Sequence, residues 1–119
     1  MLSLTFGFDI DYIASSREPI CSEDGLQCIP TKVFEEVRID EYSYSILHGM
    51  IDFTAALLDN RLIQFLANLK GSGIKIAVIS SAPILLAGAG LLKDTHFIGG
   101  IWQNFFDYFD FLPYENFCQ

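Results

Sequence analysis

The chain has 119 residues, a length that suits one domain, so residues 1–119 are expected to form a single globular unit. Apolar residues make up 51% of it, enough to build a core, which excludes a globally disordered chain. Seven basic residues stand against fifteen acidic ones, and a net charge of -8 argues against nucleic acid or an anionic membrane as partner, since both are held mainly by Lys and Arg on phosphate.

The same charge would steer a basic protein toward the chain. It would equally serve to keep an apolar-rich domain in solution. The start, Met1-Leu2-Ser3-Leu4, has no basic residue before Arg17 and lacks the pattern of a secretory signal, so a cytoplasmic location is expected. Cys21, Cys28 and Cys118 are odd in number and irregular in spacing, so reduced thiols are expected. With no C-x2-C pair and two histidines, no metal is expected, and no motif calls for a cofactor.

In chain order, Leu2, Leu4, Phe6, Phe8, Ile10 and Tyr12 alternate with small or polar residues, which predicts a strand with one buried face over 2–13. Residues 14–31 carry Ser15, Ser16, Pro19, Ser22, Asp24, Gly25 and Pro30 and read as a loop. Residues 32–39 suit a strand better than a helix. From Glu41 to Lys70, apolar residues recur at three and four, which predicts helix with a break and a cap at Asp59-Asn60. Gly71-Ser72-Gly73 ends it, and Ile74–Ile79 reads as a central strand. Pro83–Leu92 reads as a short helix. The uncharged run Ile76–Leu92 is broken by Ser80, Ser81, Pro83, Gly88 and Gly90, so it is read as strand, turn and helix and not as a membrane span. These elements predict an α/β or α+β fold: a small two-layer sandwich, its short sheet covered by helices on one face.

Three constellations could carry chemistry. Phe8-Asp9-Ile10-Asp11-Tyr12, followed by Gly73-Ile74-Lys75-Ile76-Ala77-Val78-Ile79-Ser80-Ser81, resembles the first two motifs of haloacid-dehalogenase-like phosphatases. That resemblance implies Asp9 as nucleophile, Asp11 as acid/base and Ser80 as phosphate contact, with Mg²⁺ neutralising charge. The family's later acidic metal pair has no counterpart after Ser80, and Lys93 is the sole basic residue there. His48 and Asp52 lie four apart, a spacing for a base and its orienting carboxylate, but also for a surface pair. Ser80-Ser81 has no G-x-S-x-G context, so a hydrolase elbow is not expected.

The tail from Asp94 to Gln119 mixes four acids with nine aromatic residues and holds no Lys or Arg. Trp102, Tyr108 and Tyr114 with Asp107, Asp110 and Glu115 are therefore the candidate partner-binding residues, rings supplying area and charges steering a basic partner. In size and charge the chain resembles bacterial toxin-immunity proteins of the contact-dependent growth-inhibition type. That resemblance implies a non-enzymatic inhibitor whose partner is a basic, nuclease-type toxin domain. The alternative is a small or decayed phosphatase using Asp9 and Asp11. The missing acidic pair favours the inhibitor and predicts no phosphatase activity.

Overall fold

The computed structural model describes residues 7–49, 53–98, 106 and 109–118. The fold is α/β. By contacts the chain divides into two compact units, Met1–Val37 and Arg38–Gln119.

In the first unit, strand β1 (Ile13–Ala14) pairs in parallel with β4 (Lys32–Val33), Ile13 opposite Lys32. Between them β2 (Ile20–Cys21) and β3 (Gln27–Cys28) form an antiparallel hairpin. Its turn needs Gly25, which sits at φ +84° and donates its N–H to Ser22 O at 2.9 Å. A polar cluster prepares the parallel pairing. Thr31 N–H donates to Tyr12 O at 2.7 Å, Tyr12 N–H to Thr31 Oγ1 at 2.9 Å, and the Thr31 hydroxyl to Asp11 Oδ1 at 3.1 Å. Lys32 Nζ lies 3.4 Å from Asp11 Oδ2. A 3-10 turn at Phe34–Glu36 follows, and Glu36 pairs with Arg17.

Among the described residues of the 2–13 alternation, only Ile13 is strand. Residues 1–6 lie outside the described part, and Gly7 at φ +69° interrupts the extended course. Strand begins only where a ladder partner exists, at Ile13. Likewise 32–39 yields two strand residues and then tightens into 3-10 structure.

The second unit opens with a 3-10 turn at Ile39–Glu41 and strand β5 (Tyr44–Leu47). Helices α1 (Thr54–Leu58) and α2 (Asn60–Asn68) lead to strand β6 (Lys75–Val78) and helix α3 (Pro83–Gly88). Strands β5 and β6 are parallel, with Tyr44 opposite Lys75 and Leu47 opposite Val78. The helix expected from Glu41 is therefore strand over Tyr44–Leu47: pairing with β6 overrides the helical spacing, which Tyr44, Ile46 and Leu47 can accommodate as strand formers. Asp59 ends α1 and caps α2, its carboxylate accepting from the N–H groups of Arg61 (3.1 Å) and Leu62 (3.2 Å).

Alternation sends Leu47, Ile76 and Val78 toward the helices and Tyr44 and Ile46 outward. The core is centred on α3. Ile84, Leu86 and Ala87 pack with Phe53, Leu92, Phe97 and Leu112, while Leu85 packs with Leu66 and Leu69 of the α2 end. Pro83, Ile84, Leu85 and Leu66 are fully buried. In the tail, Phe97 bridges in parallel to Phe117, and Asn116 Nδ2 donates to the carbonyls of Leu92 (3.1 Å) and Lys93 (2.8 Å). Among the described residues no helix is long and apolar enough to cross a membrane.

Candidate functional site

The turn from β6 into α3 is where backbone strain and exposure coincide. Ser80 has φ +57°, and among the described residues it is the one non-glycine with positive φ. A side chain in that region costs about 1–3 kcal/mol and persists where its surroundings over-determine it. Here they do. Ile79 N–H is held by Leu47 O at 3.0 Å, Ala82 N–H by Ile79 O at 3.1 Å, and Ile84 N–H by Ser81 O at 3.1 Å. Ser81, Ala82 and Pro83 are buried, which fixes the chain on the helix side, while Ser80 itself is exposed. A tight strand-to-helix turn thus presents one hydroxyl at the carboxyl end of a parallel strand pair, the edge where open α/β sheets bind ligands.

The neighbouring strand meets Ser80 with a glycine. Continuing the β5–β6 register past Leu47 and Val78 brings His48-Gly49 level with Ile79-Ser80. A Cβ on Gly49 would fall 2.7 Å from Ser80 Cβ, 3.0 Å from Ile79 O and 3.3 Å from Ser80 Oγ. Only glycine permits this approach without displacement. His48 is exposed, and its Nδ1 lies 3.0 Å from Gly49 O.

Serine was expected at this point only as a phosphate contact, and without G-x-S-x-G an elbow was not expected. The φ of Ser80 corrects that: the elbow arises from the buried Ser81-Ala82-Pro83 that follows, with no flanking glycine in the chain. Gly49 escaped notice because its segment reads as helix, and for the same reason His48 was read with Asp52 and not with this turn. The signal available was Tyr44-Ser45-Ile46-Leu47 running into a glycine.

Asp9 is exposed, and Asp11 is occupied by Thr31 and Lys32. Both precede β1, whereas the phosphatase pattern requires a strand that ends in them. Asp52, the partner considered for His48, lies outside the described residues, as do Trp102, Asp107 and Tyr108. Asp110, Tyr114 and Glu115 are exposed, and the Tyr114 ring stands edge-on to Phe106 at 5.1 Å. Phe106, Phe109 and Phe117 pack against the core, while Phe111 is largely exposed. Cys21, Cys28 and Cys118 are free and exposed. No group of three or more metal-ligating side chains occurs among the described residues.

Comparison with solved structures finds a THiJ/PfpI family protein from Pseudomonas syringae, 31% identical, with a TM-score of 0.68 over 76% of this chain. The chain spans 38% of that protein's length. Among curated proteins none matches. The family model that does match is the DJ-1/PfpI family, over residues 2–102.

These findings overturn the expected identity. The likeness to immunity proteins rested on size and charge, which many unrelated folds share, and it falls together with the basic toxin partner, the antitoxin role and the non-enzymatic character. The haloacid-dehalogenase likeness falls too, since the strand and turn leading to Ser80 lie within the DJ-1/PfpI match. A match that takes in both strand ends at the elbow, and most of the chain around them, places this protein in the DJ-1/PfpI family.

Proposed function

We propose that the chain carries the reacting centre of a DJ-1/PfpI-type enzyme and that the reacting atom is Ser80 Oγ. The single observation that carries this is the positive φ of an exposed serine at a buried, hydrogen-bonded strand-to-helix turn. Family membership supplies the class: members are typically enzymes of cysteine-protease or glyoxalase-like type. Both chemistries begin with a nucleophile adding to a carbonyl carbon. The substrate class is therefore an electrophilic carbonyl compound, either an acyl derivative or a small aldehyde.

The nucleophile in this chain is a hydroxyl. The turn residues Ile79–Ala82 include two serines and no cysteine. A serine oxygen is a far weaker nucleophile than a thiolate at neutral pH and depends on a base to take its proton. Ser80→Cys is the natural gain-of-reactivity variant. The acidic charge and free thiols favour a reducing cytoplasmic setting.

A fluorophosphonate, which labels activated serines, tests the assignment. Intact-protein mass spectrometry should show a single adduct that maps to Ser80, absent from Ser80→Ala. In Ser80→Cys the introduced thiol should be the fastest of the four to react with iodoacetamide. Adducts on other serines with Ser80 unmodified would dismiss the elbow as the reacting centre.

A further inference from the structure

We propose that the tail segment Phe109–Cys118 is a strap that positions the Ser80 turn by clamping the two segments that leave it. Its effect on reactivity rests on Ser80 being the reacting group; the clamping does not. The family match ends at residue 102, so the strap is a feature of this chain outside the matched pattern.

Two segments meet at the turn, β5 running into Gly49 and β6 running into Ser80. Each leads to an apolar residue that the strap packs on. On the β5 side, Phe53 follows Gly49 by four residues, and its ring stands edge-on to Phe109 at 6.0 Å. On the Ser80 side, Ile84 follows by four residues and shares one buried cluster with Phe53 and with Leu112 of the strap. At the far end of α3, a Cβ on Gly88 would meet Phe111 Cε2 at 3.8 Å.

The strap is braced and anchored. Leu112 N–H donates to Phe109 O at 3.1 Å and Asn116 N–H to Pro113 O at 3.0 Å, which makes two tight turns. The Asn116 side-chain amide donates to Leu92 O and Lys93 O, partners 24 and 23 residues away in the chain. Phe97 N–H donates to Asn116 O at 2.9 Å, and Cys118 N–H to Phe97 O at 2.8 Å. These bonds tie the strap to the stretch just beyond α3. A serine at φ +57° relaxes unless the chain on both sides of it is held. Hydrogen bonds hold the turn itself. Packing holds its two flanks to one another, and Phe109 and Leu112 supply part of that packing.

The experiment follows amide exchange at Ala82 and Ile84, whose N–H groups close the turn, in wild type, Asn116→Ala, Leu112→Ala and Leu112→Met. The rate of fluorophosphonate labelling at Ser80 is measured on the same proteins. Ile63 N–H, bonded to Asp59 O at the start of α2, is the internal reference. Asn116→Ala cuts the anchor without emptying the core, so it is decisive even where Leu112→Ala fails to fold. In the alanine variants, exchange at Ala82 and Ile84 should rise roughly 10-fold with Ile63 unchanged, and Ser80 labelling should slow by a similar factor. Leu112→Met, which keeps the volume, should restore both. Unchanged exchange at Ala82 and Ile84 in folded Asn116→Ala, or an equal rise at Ile63, would overturn the strap. A selective rise with unchanged labelling would overturn its effect on reactivity. A selective rise in a protein whose wild type never labels at Ser80 would overturn the Ser80 reading and leave the strap standing.

Discussion

The two units of this chain are built on different physics. Residues 7–37 make two short pairings and a web of exposed polar contacts, and among them only Pro30 is buried. Arg38–Gln119 surrounds a helix, α3, whose first five residues are all buried. The contrast explains where a strained residue can be kept. Holding Ser80 at φ +57° needs neighbours that do not yield, and Ser81 through Ala87 supply them. The first unit has side chains with chemistry, such as Asp9, Asp11 and two cysteines, but among its described residues there is no buried frame to fix them. Candidate residues therefore mean more where the core stands directly behind them.

The sharpest way to break this contrast is to empty the core. Ile84→Ala, at a position with no exposure, should destabilise the second unit by about 2–5 kcal/mol in chemical denaturation. Leu26→Ala, at a position 72% exposed in the first unit, should leave the midpoint almost unmoved. Equal losses from the two would show that the first unit has a core after all.

Next is the glycine under the elbow. Gly49→Ala would place its methyl 2.7 Å from Ser80 Cβ and 3.0 Å from Ile79 O. We expect a loss of roughly 1–3 kcal/mol and failure of Ser80 to take up a fluorophosphonate. Retained labelling with wild-type stability would mean that the turn gives way easily and is not a rigid frame.

A smaller effect is expected at the start of α2. Asp59→Ala leaves the N–H groups of Arg61 and Leu62 without their acceptor. The expected cost is about 0.5–2 kcal/mol, with Asp59→Asn retaining most of the stability. Identical losses in the two would show that the carboxylate's charge, and not its cap geometry, matters there.

The smallest effect belongs to the first unit. Arg17's guanidinium, and after it the Val33 N–H, hold the Glu36 carboxyl below its ordinary 4.5. A lowered carboxyl stabilises above its unfolded pKa and loses that contribution as pH falls through the folded one. The pair is exposed, so acidification below pH 4.5 should loosen the 3-10 turn at Phe34–Glu36 without unfolding the second unit. Amide exchange at Val33 and Val37 would report it, and Arg17→Gln should reduce the pH dependence, the Val33 N–H contact remaining.

Much of the second unit is legible in the sequence because its signals are local. Lys75–Val78 is β-branched and follows a glycine stop, Pro83 opens a helix, and Asp59 caps one. These depend on propensity, on a fixed proline φ and on an unsatisfied N–H, all set within a few residues. The α/β class follows from them. What the sequence could not decide was pairing. Tyr44–Leu47 is strand because β6 lies beside it, thirty-one residues away in register from Tyr44 to Lys75. Of the alternation before Tyr12, the described residues 7–11 form no strand. The site was hidden for the same reason. Ser80 is unremarkable until its φ is known, and Gly49 is a plain helix-breaking residue until β5 carries it against Ser80. Strain and close approach are properties of long-range packing, so only the tertiary structure could bring Ser80, Gly49 and His48 to one edge.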